Sequence, residues 1–326
     1  MATTTHVSDH FRTGLLFAVG SAIAFGSSGP FAKALMEAGW SPTAAVTARM
    51  AGGALVMAIF ATIVKPDWFR EALRHSRTVI AYGLIPIAGA QLCYYNAVAH
   101  LSVGVALLLE YTAPIIVVGW VWATTKRRPG TLTLTGVALA VAGIMLVLNV
   151  FSGAHINVVG VGWALAAAVC AACYFLMSDK VDDDLNPITL AAAGLVVGAA
   201  SVALLGVSGV MPLTFTTNDT VIAGLTTSWV VPVLALCVIA TAIAYTLGII
   251  GISRLRPRFA SLVGLSEVMF AVLAAWVMLG EAITVTQAVG GAVVLLGLAL
   301  ARQGDRAERM AATWPDDTIE ELTARR

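Results

Sequence analysis

The sequence predicts an all-α integral membrane protein: ten transmembrane helices in two inverted five-helix repeats, with both termini in the cytoplasm. Composition is the first reason. Of 326 residues, 59% are hydrophobic and 11% charged, and the mean hydropathy is +0.89. An average soluble domain carries about 25% charged residues. So few charges cannot cover a globule of this size, which argues against a soluble enzyme, a disordered chain and a disulfide-rich secreted module. The net charge of +1, with no basic tract, argues against a nucleic-acid partner. The other two reasons are the spacing of the apolar runs and the alternation of positive charge between them.

A membrane helix needs about 20 mostly apolar residues. Such runs cover 13–37, 42–64, 78–99, 103–123, 132–150, 159–178, 187–208, 229–250, 259–279 and 284–301. Pro42 after Ser41 and Pro187 after Asn186 sit where a helix's first N–H is orphaned in any case, so both mark helix starts. The first run contains Lys33 and lacks a basic leader, unlike a signal peptide. Lys65, Arg70, Arg74 and Arg77 follow the second run, and Lys126, Arg127 and Arg128 the fourth. Lys180 follows the sixth, Arg254, Arg256 and Arg258 the eighth, and Arg302, Arg306, Arg309, Arg325 and Arg326 the tenth. Arg12 precedes the first. The alternate loops, near Gly39, Leu101, Ala154, Thr216 and Ala282, have neither Lys nor Arg. The positive-inside rule therefore puts both ends in the cytoplasm.

An offset of 154 places Leu101 on Leu255, Ala106 on Ala260, Leu108 on Leu262, Trp122 on Trp276, Gly136 on Gly290 and Gly143 on Gly297. Gly14 matches Gly162 at an offset of 148. Five spans per half put the second half in the membrane upside down. The expected organisation is a cytoplasmic segment 1–12, repeats 13–150 and 158–301, and a cytoplasmic tail 302–326. Inverted repeats of this kind build secondary transporters with a site near the midplane.

The run from Leu101 to Pro114, LSVGVALLLEYTAP, resembles the fourth-helix motif of EamA-type members of the drug/metabolite transporter superfamily. Arg254-Leu255-Arg256, then Ala260-Ser261-Leu262, Glu267 and Leu279-Gly280-Glu281, resemble its second-half partner. The resemblance spans about 13–301. It implies ten helices, inverted halves and efflux of small metabolites such as amino acids. The second half usually reads Glu-Pro-Val in this family; here it reads Glu267-Val268-Met269.

Ionisable groups in lipid are costly and so are candidates for function. Within the spans these are Lys33, Arg49, Glu110 and Glu267. At 1.5 Å per residue, Arg49 and Glu110 both lie roughly 10–12 Å below the outer surface, where they could pair as a gate, as a carboxylate-binding cation with its counter-charge, or as a structural ion pair. Lys33 is shallower and can snorkel to the outer interface. Glu267 has no cation partner evident in the sequence, which suits either proton exchange or a hydrogen-bonded structural role. Pro30, Pro86 and Pro114 lie inside spans, and Pro114 frees the carbonyl of Glu110. Gln91, Tyr94, Tyr95 and Asn96 form the most polar stretch of any span, with Gln91 and Tyr95 on one face. Tyr111, Trp163, Tyr174, Tyr245 and Trp276 add aromatic surface. The expected substrate and ion site is thus Glu110, Arg49, Glu267, Gln91, Tyr95, Tyr245, Tyr111, Pro114 and Lys33. Gly136, Gly143, Gly290, Gly297, Gly194 and Gly198 read as close-packing faces.

The chain reads as a transporter of the bacterial plasma membrane, exchanging a small metabolite for protons, with no cofactor or metal, in a lipid bilayer and with or without homo-oligomerisation. A flippase for lipid-linked or nucleotide sugars is the second reading. A polytopic membrane enzyme is disfavoured: all five histidines lie in loops or at helix ends, and no zinc-protease, serine-hydrolase or P-loop motif is present. Cys93, Cys170, Cys173 and Cys237 lie in apolar runs, where the Cys170/Cys173 spacing reads as helix packing.

Overall fold

Backbone polar groups that cannot reach water must be satisfied within their own segment, so apolar runs of this length become helices. The computed structural model describes residues 3–126, 128–148, 157–178, 185–254 and 257–312. Arg127, Ala154, Lys180, Leu255, Arg256, the end of the expected fifth span at Val150, and the tail from 313 onward lie outside the described residues.

The first run forms α1 (Thr3–Gly26) and α2 (Ser28–Glu37), interrupted at Ser27. The second forms α3 (Pro42–Val64), followed by a short helix, α4 (Trp68–Arg74). The third comprises α5 (Ser76–Tyr82), a π-helical stretch (Gly83–Gly89) containing Pro86, and α6 (Ala90–Val98). The fourth comprises α7 (Val103–Glu110) and α8 (Ala113–Thr125). Then come α9 (Thr131–Val147), α10 (Val158–Ser178) and α11 (Pro187–Val207). A hairpin of β1 (Thr220–Ile222) and β2 (Leu225–Thr227) turns at Ala223 and Gly224, both at positive φ. The eighth run comprises α12 (Val230–Leu234), a second π-helical stretch (Ala235–Ile243) and α13 (Ala244–Arg254). The chain continues with α14 (Pro257–Leu279) and α15 (Val285–Ala312), which is helical well beyond the expected end at Ala301.

Among the described residues, seven helices are long and apolar enough to cross a membrane. Three shorter apolar helices, Thr131–Val147, Val158–Tyr174 and Leu265–Leu279, overlap the remaining expected spans. The two proline-marked starts are capped as expected: Ser41 Oγ accepts from the Ala44 amide at 3.2 Å, and Asn186 Oδ1 from the Ile188 amide at 2.9 Å.

The chain divides into two compact units, each drawing on both sequence halves. The first holds residues 1–113 and 155–284; the second holds 114–154 and 285–326. In the first unit, α11 packs on α3 and on the first π-helical stretch through glycine. Gly194 faces Ile87 and Gly198 faces Met50, the neighbour of Arg49. Gly26 lies against the backbone of α14 at Glu267 and Ala271, so α1 passes α14 closely. The core of this unit includes Leu35, Met50, Met57, Tyr95, Leu109, Val202 and Leu236.

Outside the spans, Glu71 staples α4 to the start of α11. Its carboxylate pairs with Lys65 at 2.6 Å and accepts from the Asn186 amide at 3.1 Å and from the Thr189 hydroxyl. Burial by itself would raise its pKa, but the bonds from Lys65, Thr189 and Asn186 outweigh that and lower it to about 2. Because the folded-state value lies below the ordinary one, the staple is at full strength above about pH 4.5 and weakens as pH falls toward 2.

In the second unit, α9 and α15 meet at the four glycines expected to pack. A Cβ built on Gly143 would lie 2.7 Å from the Val294 amide nitrogen, and one on Gly290 would lie 2.8 Å from that of Val147. Gly136 and Gly297 are tighter still against Ala301 and Ala140. Backbone cannot step aside as a side chain can. Gly143→Val or Gly290→Val should therefore destabilise the unit by about 1–3 kcal/mol or more, whereas Gly119→Ala, with no atom within 4 Å of its Cβ, should be silent. Melting midpoints of the purified variants check both expectations.

Candidate functional site

Arg49 sits on α3 and is 3% exposed. Its guanidinium gathers residues from α2, α6 and the second π-helical stretch. Nε donates to Thr241 Oγ1 at 3.1 Å. Nη1 donates to Ser28 Oγ at 2.6 Å, to Tyr95 Oη at 3.1 Å and to Gln91 Oε1. Nη2 donates to the Ala240 carbonyl at 2.9 Å. The Tyr95 ring lies 5.8 Å from the guanidinium carbon, within cation–π range. Every one of these acceptors is neutral.

Local sequence explains the convergence. Ser28 opens α2 just past the interruption at Ser27, whose own hydroxyl returns to the Ala24 carbonyl at 2.7 Å, so the Ser28 hydroxyl is left to Arg49 and Tyr95. Thr241 lies in the π-helical stretch, where its hydroxyl donates to the Leu236 carbonyl five residues back at 2.8 Å. A π turn widens the helix and is frequent at functional sites. A narrow cavity beside Arg49 is lined also by Gln91, Thr241, Tyr245, Ile87 and Leu195.

The expected Arg49–Glu110 contact is not made. Among the described residues, no carboxylate lies within ion-pair distance of Arg49. The guanidinium is instead occupied by neutral oxygens. Glu110 ends α7, is half-buried, and its carboxyl has no hydrogen bond or ion pair among the described residues. The chain then breaks at Tyr111 and Thr112, before α8 carries Pro114. Thr112 Oγ1 donates to the Leu109 carbonyl at 2.6 Å. Glu267, half-buried on α14, accepts from Tyr111 Oη at 2.7 Å, so it is hydrogen-bonded. With Val268 where the resembled motif carries proline, α14 is continuous through Glu267.

The structure thus brings Arg49, Gln91 and Tyr95 together with Tyr245 along the cavity, and Tyr111 with Glu267. Tyr245 also stacks edge-on against Phe25 at 5.1 Å. Trp276 and Tyr174 are exposed, and Tyr174 lies against Tyr82 instead. Ser28, Ala240 and Thr241 lie outside the site expected from the sequence. Thr241 carries one legible signal: it lies four residues before Tyr245, on the same face of an otherwise apolar span.

Lys33 reaches two of the loops expected on the outer side. Its ammonium pairs with Glu281 and donates to the Leu101 carbonyl at 3.3 Å. Glu281 Oε2 also accepts from the Val103 amide at 3.1 Å, at the first turn of α7. One ion pair therefore ties α2, the start of α7 and the loop after α14, where Gly280 takes positive φ. Nearby in sequence to α2, Trp40 Nε1 donates to the Thr216 carbonyl at 2.8 Å and Ser41 exchanges two bonds with Thr214, joining two further connecting loops. If the pair is coupled, Lys33→Glu and Glu281→Lys should each lower the melting midpoint, and the double swap should recover stability with a coupling of about 0.5–3 kcal/mol. Additive losses would show that the two residues act separately.

The EamA-like transporter family matches this sequence twice, over residues 12–149 and 158–303. The threonine/homoserine exporter RhtA of Escherichia coli (strain K12) is 28% identical over 253 residues, covering 76% of this chain and 77% of its own length. The uncharacterized inner membrane transporter YicL of Salmonella typhimurium (strain LT2) is 21% identical over 307 residues, covering 92% of this chain and 99% of its own. A solved crystal structure, 20% identical, covers 93% of this chain and 99% of its own and shares the fold at a TM-score of 0.58.

Proposed function

The chain belongs to the EamA-like transporter family, and we propose on that basis that it is a secondary transporter exporting a small zwitterionic metabolite, of amino-acid size, in exchange for protons. It is a multi-pass membrane protein. We assign it to the bacterial inner membrane, with ten spans in two inverted halves and both termini inside. The charge alternation between loops and the 154-residue offset support that topology. The threonine/homoserine exporters among its relatives fit the size of substrate.

The observation that carries the reading is Arg49. A permanently charged guanidinium, buried among neutral oxygens, leaves a net positive charge that an arriving carboxylate would neutralise. The Glu110 carboxyl is the natural receptor for the substrate ammonium. Gln91 and Tyr245 line the cavity beside Arg49, as polar groups orient a ligand in a mostly apolar pocket, and Tyr95 bonds the guanidinium. Glu267, held by Tyr111, is the proton carrier. The Lys33–Glu281 pair closes the outer face in this state and opens in the other half of the cycle.

Glu267→Gln tests the coupling, because it mimics the protonated carboxyl at nearly constant volume. In proteoliposomes with an imposed pH gradient and labelled L-threonine as probe, the variant should lose uphill transport and keep downhill exchange. Wild-type flux that ignores the gradient, or a variant that still pumps uphill, would return Glu267 to a structural role.

A further inference from the structure

The short helix α4 lies between a span ending at Val64 and one starting at Ser76, so it sits within a few residues of a bilayer surface. One side of it is fixed. Ala72 is buried in a small cluster with Val79 and Ala193, the Glu71 carboxylate is bound by Lys65, Thr189 and Asn186, and Trp68 Nε1 donates to Thr62 Oγ1 at 3.0 Å. The other side is exposed and two-natured. Phe69 is 59% and Leu73 61% exposed, four residues apart on one face. Arg70, Arg74 and Arg77 are exposed as well, and none makes an ion pair or side-chain hydrogen bond among the described residues. Asp67, just before α4, is exposed, and Glu71 is engaged by the staple.

We propose that α4 with Arg77 is a binding site for the headgroup of an anionic glycerophospholipid. Phe69 and Leu73 enter the boundary between headgroups and acyl chains, as the apolar face of an interfacial helix does. Arg70, Arg74 and Arg77 bond the phosphodiester, for which a guanidinium is geometrically suited. Charge complementarity and position decide the occupant. Three arginines with no ion pair among the described residues, beside two exposed apolar side chains, match a surface that is anionic above and hydrocarbon below, which is the inner surface of an acidic bilayer. The Glu71 staple supplies the rigidity, because it holds α4 against α11 at any pH above the ordinary carboxylate range. The site is separate from the Arg49 cavity, so it holds whether or not the transport reading does.

The test titrates phosphatidylglycerol into phosphatidylcholine nanodiscs carrying the full chain and follows the melting midpoint. Wild type should gain stability with a saturable midpoint. Each arginine replaced in the series Arg70→Gln, Arg74→Gln, Arg77→Gln should weaken that midpoint on the order of fivefold, with stability in pure phosphatidylcholine unchanged. Phe69→Ser with Leu73→Ser should weaken it with all three charges kept. Soluble glycerol phosphate should give no stabilisation, because it lacks the hydrocarbon. A triple arginine variant that responds like wild type would overturn the proposal, as would a full response to glycerol phosphate alone.

Discussion

A guanidinium that keeps its charge at any physiological pH, buried with no counter-ion in contact among the described residues, is the constraint around which the first unit is organised. Arg49 has five N–H donors. One goes to Thr241, the two on Nη1 are divided among Ser28, Gln91 and Tyr95, and Nη2 has one acceptor, the Ala240 carbonyl. Dipoles of this kind replace water, which makes the burial tolerable, but they do not cancel the charge. The residual field is available to an anion small enough to reach the cavity.

Delivering those acceptors requires irregular helices. Two π-helical stretches flank the site, Gly83–Gly89 ahead of Gln91 and Ala235–Ile243 ahead of Tyr245. Under the offset of 154 the first falls within the second, and Gln91 falls on Tyr245. The same device therefore occurs in each half, and each instance aims a polar side chain into one cavity. Ser28 joins them only because the first rod is interrupted at Ser27. Glycine sets the distances, with Gly198 letting α11 close on Met50 beside Arg49, and Gly26 letting α1 pass α14 at Glu267. Irregular backbone at membrane depth is tolerated where it lines a polar interior.

Much of this was legible in the sequence. Apolar run lengths located the helices, because lipid demands internally satisfied backbone, and proline after Ser41 and Asn186 marked two starts. The glycine periodicity of α9 and α15 located their contact. Gln91, Tyr95 and Tyr245 were legible as polar groups in apolar surroundings. What depth could not supply was the partner. Counting residues gave Arg49 and Glu110 the same depth, but the guanidinium bonds neutral oxygens, so the expected ion pair is absent among the described residues while Thr241, invisible to a search for charge, is in contact. Lys33 was legible as a residue reaching the outer interface, but its partner Glu281, 248 residues away, was not. The π-helical stretches also have no pattern of their own: Pro86 lies in one, but the other contains no proline. The hairpin at 220–227 went unnoticed because its strands are three residues each.

If Arg49 receives the carboxylate of the substrate, recognition must depend jointly on that residue and that group. The direct measurement is a cycle of protein and ligand changes: inhibition of counterflow by L-threonine and by its amide, in wild type and in Arg49→Gln. Wild type should prefer the carboxylate by at least about thirtyfold, the equivalent of roughly 2 kcal/mol for a buried charge pair, and Arg49→Gln should lose that preference. A variant that still prefers the carboxylate over the amide by the wild-type factor would mean that Arg49 binds only the protein.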